Sequence, residues 1–429
     1  MKVHGADEVD AVVAGGGSRL VVGARDLVTP LARERARDIG VVIVVDGADT
    51  GPAPAEVSTP RSAPTVAVRK PLSQELSAPP PLSPPSPALY RRGAPLPDGV
   101  RVGLPRRNGV VRGPAQRVGR VTVVGAGNVG MIAAMRLAES DLIDEVVLVD
   151  IAGQRAAGIA LDISHASPLL GFSTRVRGVT TVAEAGRSEY VVITAGRART
   201  PGMSRSDLVD TNAAIVGALT ADAVAVSPDA VLLVVTNPLD EMTQHAWQVS
   251  GLPTERVIGM AGVLDSSRFR ALTALAADTS PRQVSAFALG SHGDEMVLPL
   301  SQVTVDGGPI TESLPASEVD GLVDRTRNSG AEVVGLLESG SAFFAPGLSA
   351  ARMVSAMIRE TGEVLAATVA PRGEYGIRSG YVGLPVRLGR GGLAEIVELP
   401  LTDVELRDLR TAAERIAERV GALEAVGAR

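Results

Sequence analysis

The chain has 429 residues, of which 45% are hydrophobic and 21% charged, and this length and composition favour a globular protein of two or three domains. Its net charge of −6 argues against nucleic acid as the main partner, and the lack of cysteine excludes disulfides, thiolate catalysis and cysteine-based metal sites. We predict no metal site. Since no segment resembles a signal peptide or a membrane-spanning run, we expect a cytoplasmic protein without a membrane partner.

The N-terminal quarter of the chain predicts two different segments. Residues 1–50 look like a small folded module of unknown role, with a helix pattern after Thr29-Pro30 and a strand at 41–45. Glycines 15–17 could form a phosphate loop, but a turn is favoured because neither a helix pattern nor Lys-Ser/Thr follows. Residues 51–117 hold thirteen prolines between Pro52 and Pro97, and this composition predicts a disordered linker.

The segment Arg120–Asp150 carries the fingerprint of a dinucleotide-binding βαβ unit. A buried strand runs into G-A-G-N-V-G, a helix pattern follows, and a second strand ends on Asp150. In this motif Gly125 permits the turn, Gly127 lets the pyrophosphate approach, and Gly130 lets helix and strand pack closely. An acid at Asp150 can bind ribose hydroxyls and disfavours a 2′-phosphate, so we predict NAD as cofactor and a Rossmann domain over residues 118–260.

Two later strands of this domain also end in polar loops. The strand at 190–194 leads into a loop that holds Arg197, Arg199 and Arg205. This could be a solvated basic loop, but arginines spaced beside a cofactor site favour an anionic substrate. The strand at 231–235 ends in Thr236-Asn237-Pro238.

Residues 261–429 have a mixed pattern that predicts a second, α+β domain. Asp265 and Arg268 share one face of a helix because they are three residues apart. A strand at 284–289 leads to His292, which lies between Gly290 and Gly293 and is therefore expected to be exposed and free to approach a ligand. A long helix at 317–338, a hairpin at 381–398 and a final helix at 402–420 follow.

Together these motifs resemble the lactate/malate dehydrogenase family, and most of all its lactate-dehydrogenase-like malate dehydrogenases. The resemblance covers residue 118 to the C-terminus and implies a Rossmann NAD-binding domain followed by the family's C-terminal domain. It rests on five motifs that occur in family order: GAGNVG (125–130), RTPGMSR (199–205), TNP (236–238), LDSSRF (264–269) and GSHGD (290–294).

The resemblance also implies a role for each motif residue. His292 would be the base that takes the hydroxyl proton of a 2-hydroxy acid, with Asp265 as its orienter, and Arg205 would polarise the substrate carbonyl. Arg268 would bind the C1 carboxylate, and Asn237 would hold the substrate oxygen beside the nicotinamide. The residues expected to bind the cofactor are Gly125, Gly127, Asn128, Val129, Gly130, Asp150, Asn212, Val235 and Asn237.

Arg199 indicates the substrate. Malate enzymes of the family carry arginine at this place, where it pairs with the second carboxylate, whereas lactate enzymes carry glutamine. The small residue Ala342 leaves room for the larger acid. Two departures from the family pattern, Thr200 after Arg199 and Arg197 before it, affect the choice of four-carbon acid. The resemblance therefore implies NAD-dependent interconversion of malate and oxaloacetate, a step of the tricarboxylic acid cycle.

Two alternatives remain open from the sequence. One is a dehydrogenase for L-lactate or another 2-hydroxy acid, and the other is an inactive scaffold that binds a partner. The complete set of motif residues argues against the scaffold. We expect a homo-oligomer, either dimer or tetramer. A stretch at 25–43 is similar to segments of bacterial microcompartment enzymes, so residues 1–50 could direct the enzyme to such a compartment.

Overall fold

The computed structural model describes the following residues: 3–4, 6–23, 26–28, 32, 35–36, 39–45, 117–197, 205–338 and 340–427. Nearly all of the predicted linker and the loop at 198–204 lie outside them. The chain divides into two compact units, residues 1–105 and 106–429.

The described residues of the N-terminal unit include a helix and two pairs of parallel strands. Glycines 15–17 form a turn after the helix, and Gly16 has φ +74°. Leu20 and Val22 alternate with exposed residues along their strand and pack with Val9 in a small core. The strand pairs are β1 (Val3–His4) with β3 (Leu27–Val28) and β2 (Arg19–Val22) with β4 (Val42–Val45), and helix α1 is Ala6–Ala14.

The second unit begins with alternating strands and helices. Its elements are β5 (Val118–Val124), α2 (Asn128–Glu139), β6 (Ile143–Val149), α3 (Gly153–Leu170), β7 (Arg175–Val179), α4 (Val182–Ala185), β8 (Tyr190–Ile193), α5 (Arg205–Val226), β9 (Val231–Val234), α6 (Leu239–Ser250) and β10 (Val257–Gly259). The six strands pair in parallel in the order β7-β6-β5-β8-β9-β10. This is the predicted Rossmann sheet, and the turns after its strands meet at one edge.

Both faces of the parallel sheet are covered, which explains its continuous apolar strands. Along β6, Val146 and Leu148 pack into one core with Leu137 of α2. The alternate residues Val147 and Val149 pack into a second core on the opposite face. The helices packed on the two faces thereby hold in place the turn after β5 and the turn after β6.

One helix of this half has the length and composition of a membrane span, which the sequence pattern had not suggested. It covers Asp207–Val226 within α5. Three aspartates lie along it, while Val216 and Ala223 belong to the second core of the Rossmann domain. Its apolar composition is thus that of a helix packed on an α/β sheet.

An antiparallel half continues the same sheet. Its elements are α7 (Gly262–Ala276), β11 (Val284–Ser285), β12 (Leu289–Gly290), β13 (Met296–Val297), β14 (Thr304–Val305), β15 (Gly308–Pro309), α8 (Ile310–Ser313), α9 (Ala316–Leu337), α10 (Phe344–Arg359), β16 (Val364–Val369), β17 (Val382–Gly389), β18 (Gly392–Ile396) and α11 (Asp403–Gly427). β10 pairs with β16 through Gly259 and Thr368, so β5–β10 join β16, β17, β12, β13 and β18 in one sheet of eleven strands.

The structure differs from the sequence prediction around residues 284–289. A single strand was predicted there, but the chain forms β11 and β12, which belong to different sheets. Between them the N–H of Ala288 donates to the Ser266 hydroxyl of α7 at 2.9 Å, so this backbone group is not available for a strand ladder. Strand β16 was not predicted at all.

Candidate active site

The turn after β5 has the geometry that a pyrophosphate requires. Gly125 has φ +104°, and a Cβ on Gly130 would lie 1.8 Å from the carbonyl oxygen of Gly125. Glycine is therefore required at both positions. A Cβ on Gly127 would meet no protein atom within 4 Å, which leaves this side of the turn open to a ligand.

Two further features of the turn suit a dinucleotide. Helix α2 begins after Gly127 without a side-chain cap, so the backbone N–H groups of its first turn are available to a phosphate. Asp150, at the end of β6, accepts hydrogen bonds from the N–H groups of Ala126 at 2.8 Å and Ala152 at 2.9 Å. These bonds fix its carboxylate and leave lone pairs for ribose hydroxyls. The residues present therefore fit NAD.

Asn212 joins the loops that follow β8 and β9. Its Oδ1 accepts from the N–H of Arg197 at 2.7 Å, and its amide donates to the carbonyl oxygens of Arg197 at 3.1 Å and Asn237 at 2.6 Å. The side chain is buried and its donors are used on backbone, so a direct contact with the cofactor stays a prediction. Val235 and Asn237 lie at the same sheet edge, and the Asn237–Pro238 peptide bond is cis.

The structure brings together three of the predicted site residues from two separate elements. The Nδ1 atom of His292 lies 2.7 Å from Oδ2 of Asp265, and Nη1 of Arg268 donates to Oδ1 of Asp265 at 3.1 Å. The Asp265 side chain is only 2% exposed, whereas those of Arg268 and His292 are each 17% exposed. Because Nδ1 is engaged, Nε2 is the ring nitrogen left for a substrate.

The surroundings of His292 favour its protonated form. Burial opposes the imidazolium charge, but the charge and hydrogen bond of Asp265 and the charge of Asp240 raise the pKa of His292 above its ordinary value. Asp240 itself is fully buried, and burial raises its pKa to about 6. A histidine held in this way can exchange a proton near neutral pH.

The predicted substrate arginines are the part of the site that the described residues do not cover. Arg199 lies outside them, and Arg205 begins α5 but its side chain lies outside them. Ala342 is half-buried in the segment before α10, next to Phe343 and Phe344, whose rings lie 4.5 Å apart between centroids at an angle of 37°. The predicted roles of both arginines therefore remain predictions.

Sequence reasoning missed a polar group that contacts the backbone of His292. Asp240 accepts from the His292 N–H at 2.9 Å, from the Ser291 hydroxyl at 3.1 Å and from the Thr368 hydroxyl at 2.9 Å. Arg419 of α11 donates to the Ser291 hydroxyl at 3.1 Å. The only sequence signal was the place of Asp240, three residues after Asn237; nothing in the pattern connected it with Thr368 or Arg419.

A dinucleotide turn, an acid at the end of β6 and a histidine paired with a buried aspartate define a nicotinamide-dependent dehydrogenase of hydroxy acids. Among the residues that the structure describes, no group of three or more histidines and carboxylates could hold a metal ion.

Comparison with known proteins places the chain within a family. The family description "lactate/malate dehydrogenase, NAD binding domain" matches residues 119–259, and the description of its alpha/beta C-terminal domain matches residues 262–425. The malate dehydrogenase of Chloroherpeton thalassium is 45% identical over 299 residues, which cover 70% of this chain and 96% of that protein. The malate dehydrogenase of Nostoc punctiforme is 47% identical over 302 residues, covering 70% of this chain and 92% of that protein.

Solved structures similar to this chain include members of the same family. The malate dehydrogenase from Salinibacter ruber is 40% identical with a TM-score of 0.68, and the match covers 72% of this chain and 98% of that chain. A lactate dehydrogenase from Cryptosporidium parvum, complexed with lactic acid and the cofactor, is 34% identical with a TM-score of 0.69, and covers 72% and 98%. The chain belongs to the lactate/malate dehydrogenase family, which confirms the predicted family, fold and NAD cofactor.

Proposed function

We propose that the protein is an NAD-dependent malate dehydrogenase that interconverts malate and oxaloacetate. The observation that carries this proposal is the contact of Asp265 with both His292 and Arg268, at 2.7 and 3.1 Å. This arrangement sets a proton-transfer group beside a cation for a carboxylate. The proposal is also supported by relatives named malate dehydrogenase at 45% identity.

Each residue of the proposed site has one task. In the direction of malate oxidation, Nε2 of His292 takes the proton of the substrate hydroxyl, and Asp265 stabilises the imidazolium that forms. Arg268 binds the C1 carboxylate, and Asn237 holds the reacting oxygen. Arg205 stabilises the charge on that oxygen in the direction of reduction. NAD supplies the chemistry of hydride transfer when bound.

The cofactor half of the site is assigned to the turn after β5. The glycines at 125, 127 and 130 shape the turn, and the N–H groups of Asn128 and Val129 at the start of α2 would bind the pyrophosphate. Asp150 binds the ribose. We assign Val235, Asn237 and Asn212 to the nicotinamide end, with Asn212 acting through the loops that it joins.

We assign the choice of substrate to Arg199. An arginine there pairs with the second carboxylate of oxaloacetate and has no partner when pyruvate binds. Steady-state assays with oxaloacetate, pyruvate and NADH test this directly. We expect oxaloacetate to be preferred, and Arg199→Gln to move the ratio of kcat/KM values towards pyruvate by about tenfold or more. An unchanged ratio would show that Arg199 does not select the substrate.

The same assays separate an enzyme from an inactive scaffold. His292→Asn should reduce turnover by roughly 10²–10⁴-fold, since this is what a positioned proton-transfer group contributes, while NADH still binds. Wild-type protein that binds NADH but reduces neither substrate would overturn the proposed activity.

We further propose that the enzyme is a cytoplasmic homo-oligomer serving the tricarboxylic acid cycle. Helix α3 supports the oligomer because it exposes Leu161, Leu169 and Leu170, with Leu169 at 87%, and such apolar exposure is typical of an interface. Sedimentation velocity would distinguish dimer from tetramer, and a monomer would refute the assignment.

We propose four segments for the chain: a module at 1–50, a linker at 51–117, the NAD-binding domain at 118–260 and the catalytic domain at 261–429. The module would direct the enzyme to a place in the cell, for example a bacterial microcompartment. A fusion of residues 1–60 to a fluorescent protein tests this in the native host. Discrete foci would support this role, and diffuse signal under all growth conditions would exclude it.

A further inference from the structure

A buried polar cluster, formed by Asp240, Ser291, Thr368 and Arg419, lies against the backbone of His292. Asp240 is 2% exposed and Ser291 is 5% exposed. Both carboxylate oxygens of Asp240 accept hydrogen bonds, one from Thr368 and the other from Ser291 and the N–H of His292. The base is therefore held at its ring by Asp265 and at its backbone by Asp240.

Arg419 connects this cluster to the C-terminal helix. Its Nε donates to Glu241 at 2.6 Å, its Nη1 lies 3.1 Å from each carboxylate oxygen of Glu295, and its Nη2 donates to the Ser291 hydroxyl at 3.1 Å. The side chains of Glu241 and Arg419 are 5% and 24% exposed. One guanidinium thus joins α11 to the start of α6 and to both sides of the His292 loop.

The direction of each hydrogen bond in the cluster is fixed by chemistry. A guanidinium can only donate, and an ionised carboxylate can only accept. The Ser291 hydroxyl therefore accepts from Arg419 and gives its single hydrogen to Asp240. Because Ser291 and His292 are adjacent, a displacement of this hydroxyl would move the backbone of the base.

We propose that Arg419 is a positioning residue for His292, acting through Ser291 and Asp240, so that the C-terminal helix helps to place the catalytic base. The inference rests on the proposed function, since it assigns a part to the base of that reaction. Helix α11 carries none of the residues predicted to touch substrate or cofactor, and Arg419 connects it to the loop of the base.

The charges around the cluster connect it with the pKa of His292, which can be measured. The charged groups that act on His292 are Asp265 and Arg268 of α7 and Asp240 of α6, and Glu241 acts on Asp240. A donor lost from Asp240 makes its carboxylate easier to protonate. Its support of the imidazolium then weakens, and the pKa of His292 should fall.

The test compares variants of the full chain at two sites. Arg419→Leu removes the guanidinium, Arg419→Lys keeps a cation, and Ser291→Ala removes only the bridging hydroxyl. We expect Arg419→Leu and Ser291→Ala to lower kcat by about tenfold, less than the roughly 10²-fold cost of a 1 Å misplacement, with the KM for NADH unchanged. Arg419→Lys should recover most of the loss. Arg415→Leu, an exposed arginine on the same helix, is the matched control.

A substrate-free measurement keeps this test separate from that of the proposed function. NMR titration of the imidazoles is tractable because the chain has only four histidines, and it reports the pKa of His292 directly. A lowered pKa in Ser291→Ala, in which Asp240 loses a donor, supports the positioning role even if oxaloacetate is not the substrate. Values equal to that of Arg415→Leu, with unchanged kcat, would overturn it.

Folding of the variants is controlled for in the same design. Removing Arg419 leaves the buried Glu241 without its cation, which can destabilise the protein. If Arg419→Leu does not fold, Ser291→Ala decides the question, since it creates no unpaired charge. Wild-type kcat and imidazole pKa in that variant would contradict the proposal.

Discussion

Asp265 divides its two carboxylate oxygens between a base and a cation. One oxygen holds Nδ1 of His292, and the other binds Arg268 one helical turn away. Since the carboxylate is buried, both partners are needed to offset its desolvation. The arrangement couples the ionisation of His292 to the group that would bind the substrate carboxylate.

This coupling predicts opposite pH dependences for the two reaction directions. Malate oxidation requires neutral His292, so its kcat/KM should fall as the pH drops below the raised pKa of this residue. Oxaloacetate reduction requires the imidazolium and should fall as the pH rises above it. Asp265→Asn removes the main charge that stabilises the imidazolium, so the pH at which malate oxidation falls off, its acid limb, should move to lower pH. If the limb stays in place, Asp265 does not set the pKa of His292.

A second prediction at this scale concerns Asp150. Its carboxylate lies beside the dinucleotide turn and would meet a 2′-phosphate as a like charge. We expect kcat/KM with NADH to exceed that with NADPH, and Asp150→Ser to narrow the gap. Comparable values for both cofactors in the wild type would rule out this discrimination.

At the scale of elements, the junction of β5 and α2 decides whether the cofactor turn can form. Gly130 lies so close to Gly125 that no side chain fits between helix and turn, whereas Gly127 faces open space. The two glycines therefore serve different purposes, one in packing and the other in ligand approach.

Alanine substitutions should separate these purposes. Gly130→Ala should destabilise the protein by about 1–3 kcal/mol through overpacking, and also weaken NADH binding. Gly127→Ala should leave the melting temperature unchanged and raise the Kd for NADH, because its Cβ occupies only the space of the ligand. Calorimetry measures the melting temperatures, and fluorescence titration measures the Kd for NADH. Equal melting temperatures for the two variants would be inconsistent with the packing role of Gly130.

The elements that could be predicted are those specified by short-range pattern. The βαβ unit, the α7 face shared by Asp265 and Arg268, and the late hairpin all follow from local spacing. The contact of Asp265 with His292 spans 27 residues and was implied by the family resemblance, not by spacing. Asp240 and Arg419 escaped prediction because their partners are distant in the sequence.

At the scale of the whole molecule, the second unit is held together by one sheet of eleven strands. The parallel and antiparallel halves join at β10 and β16, so cofactor turn and base are placed by a continuous hydrogen-bonded frame. Arg117 lies just before β5 and contacts the start of β6. Its Nη2 donates to the carbonyl oxygen of Ile143 at 2.7 Å, and its Nε lies 3.0 Å from Asp144.

Truncation tests whether residues 1–116 contribute to this frame. We expect a chain that begins at Arg117 to stay folded and active, since the family match starts at residue 119. A chain that begins at Val118 loses the contacts of Arg117 and should melt lower by about 2 °C or less, as such half-exposed pairs contribute little. Loss of activity on removal of residues 1–116 would mean that the extension supports the catalytic unit.

The contact between Arg419 and Glu241 also sets an order of events during synthesis. These residues are 178 positions apart, so a ribosome needs roughly 10–35 s to make the chain between them. The dinucleotide turn is complete long before α11 emerges. A nascent chain can therefore present its cofactor site well before α11 docks and helps to place the base.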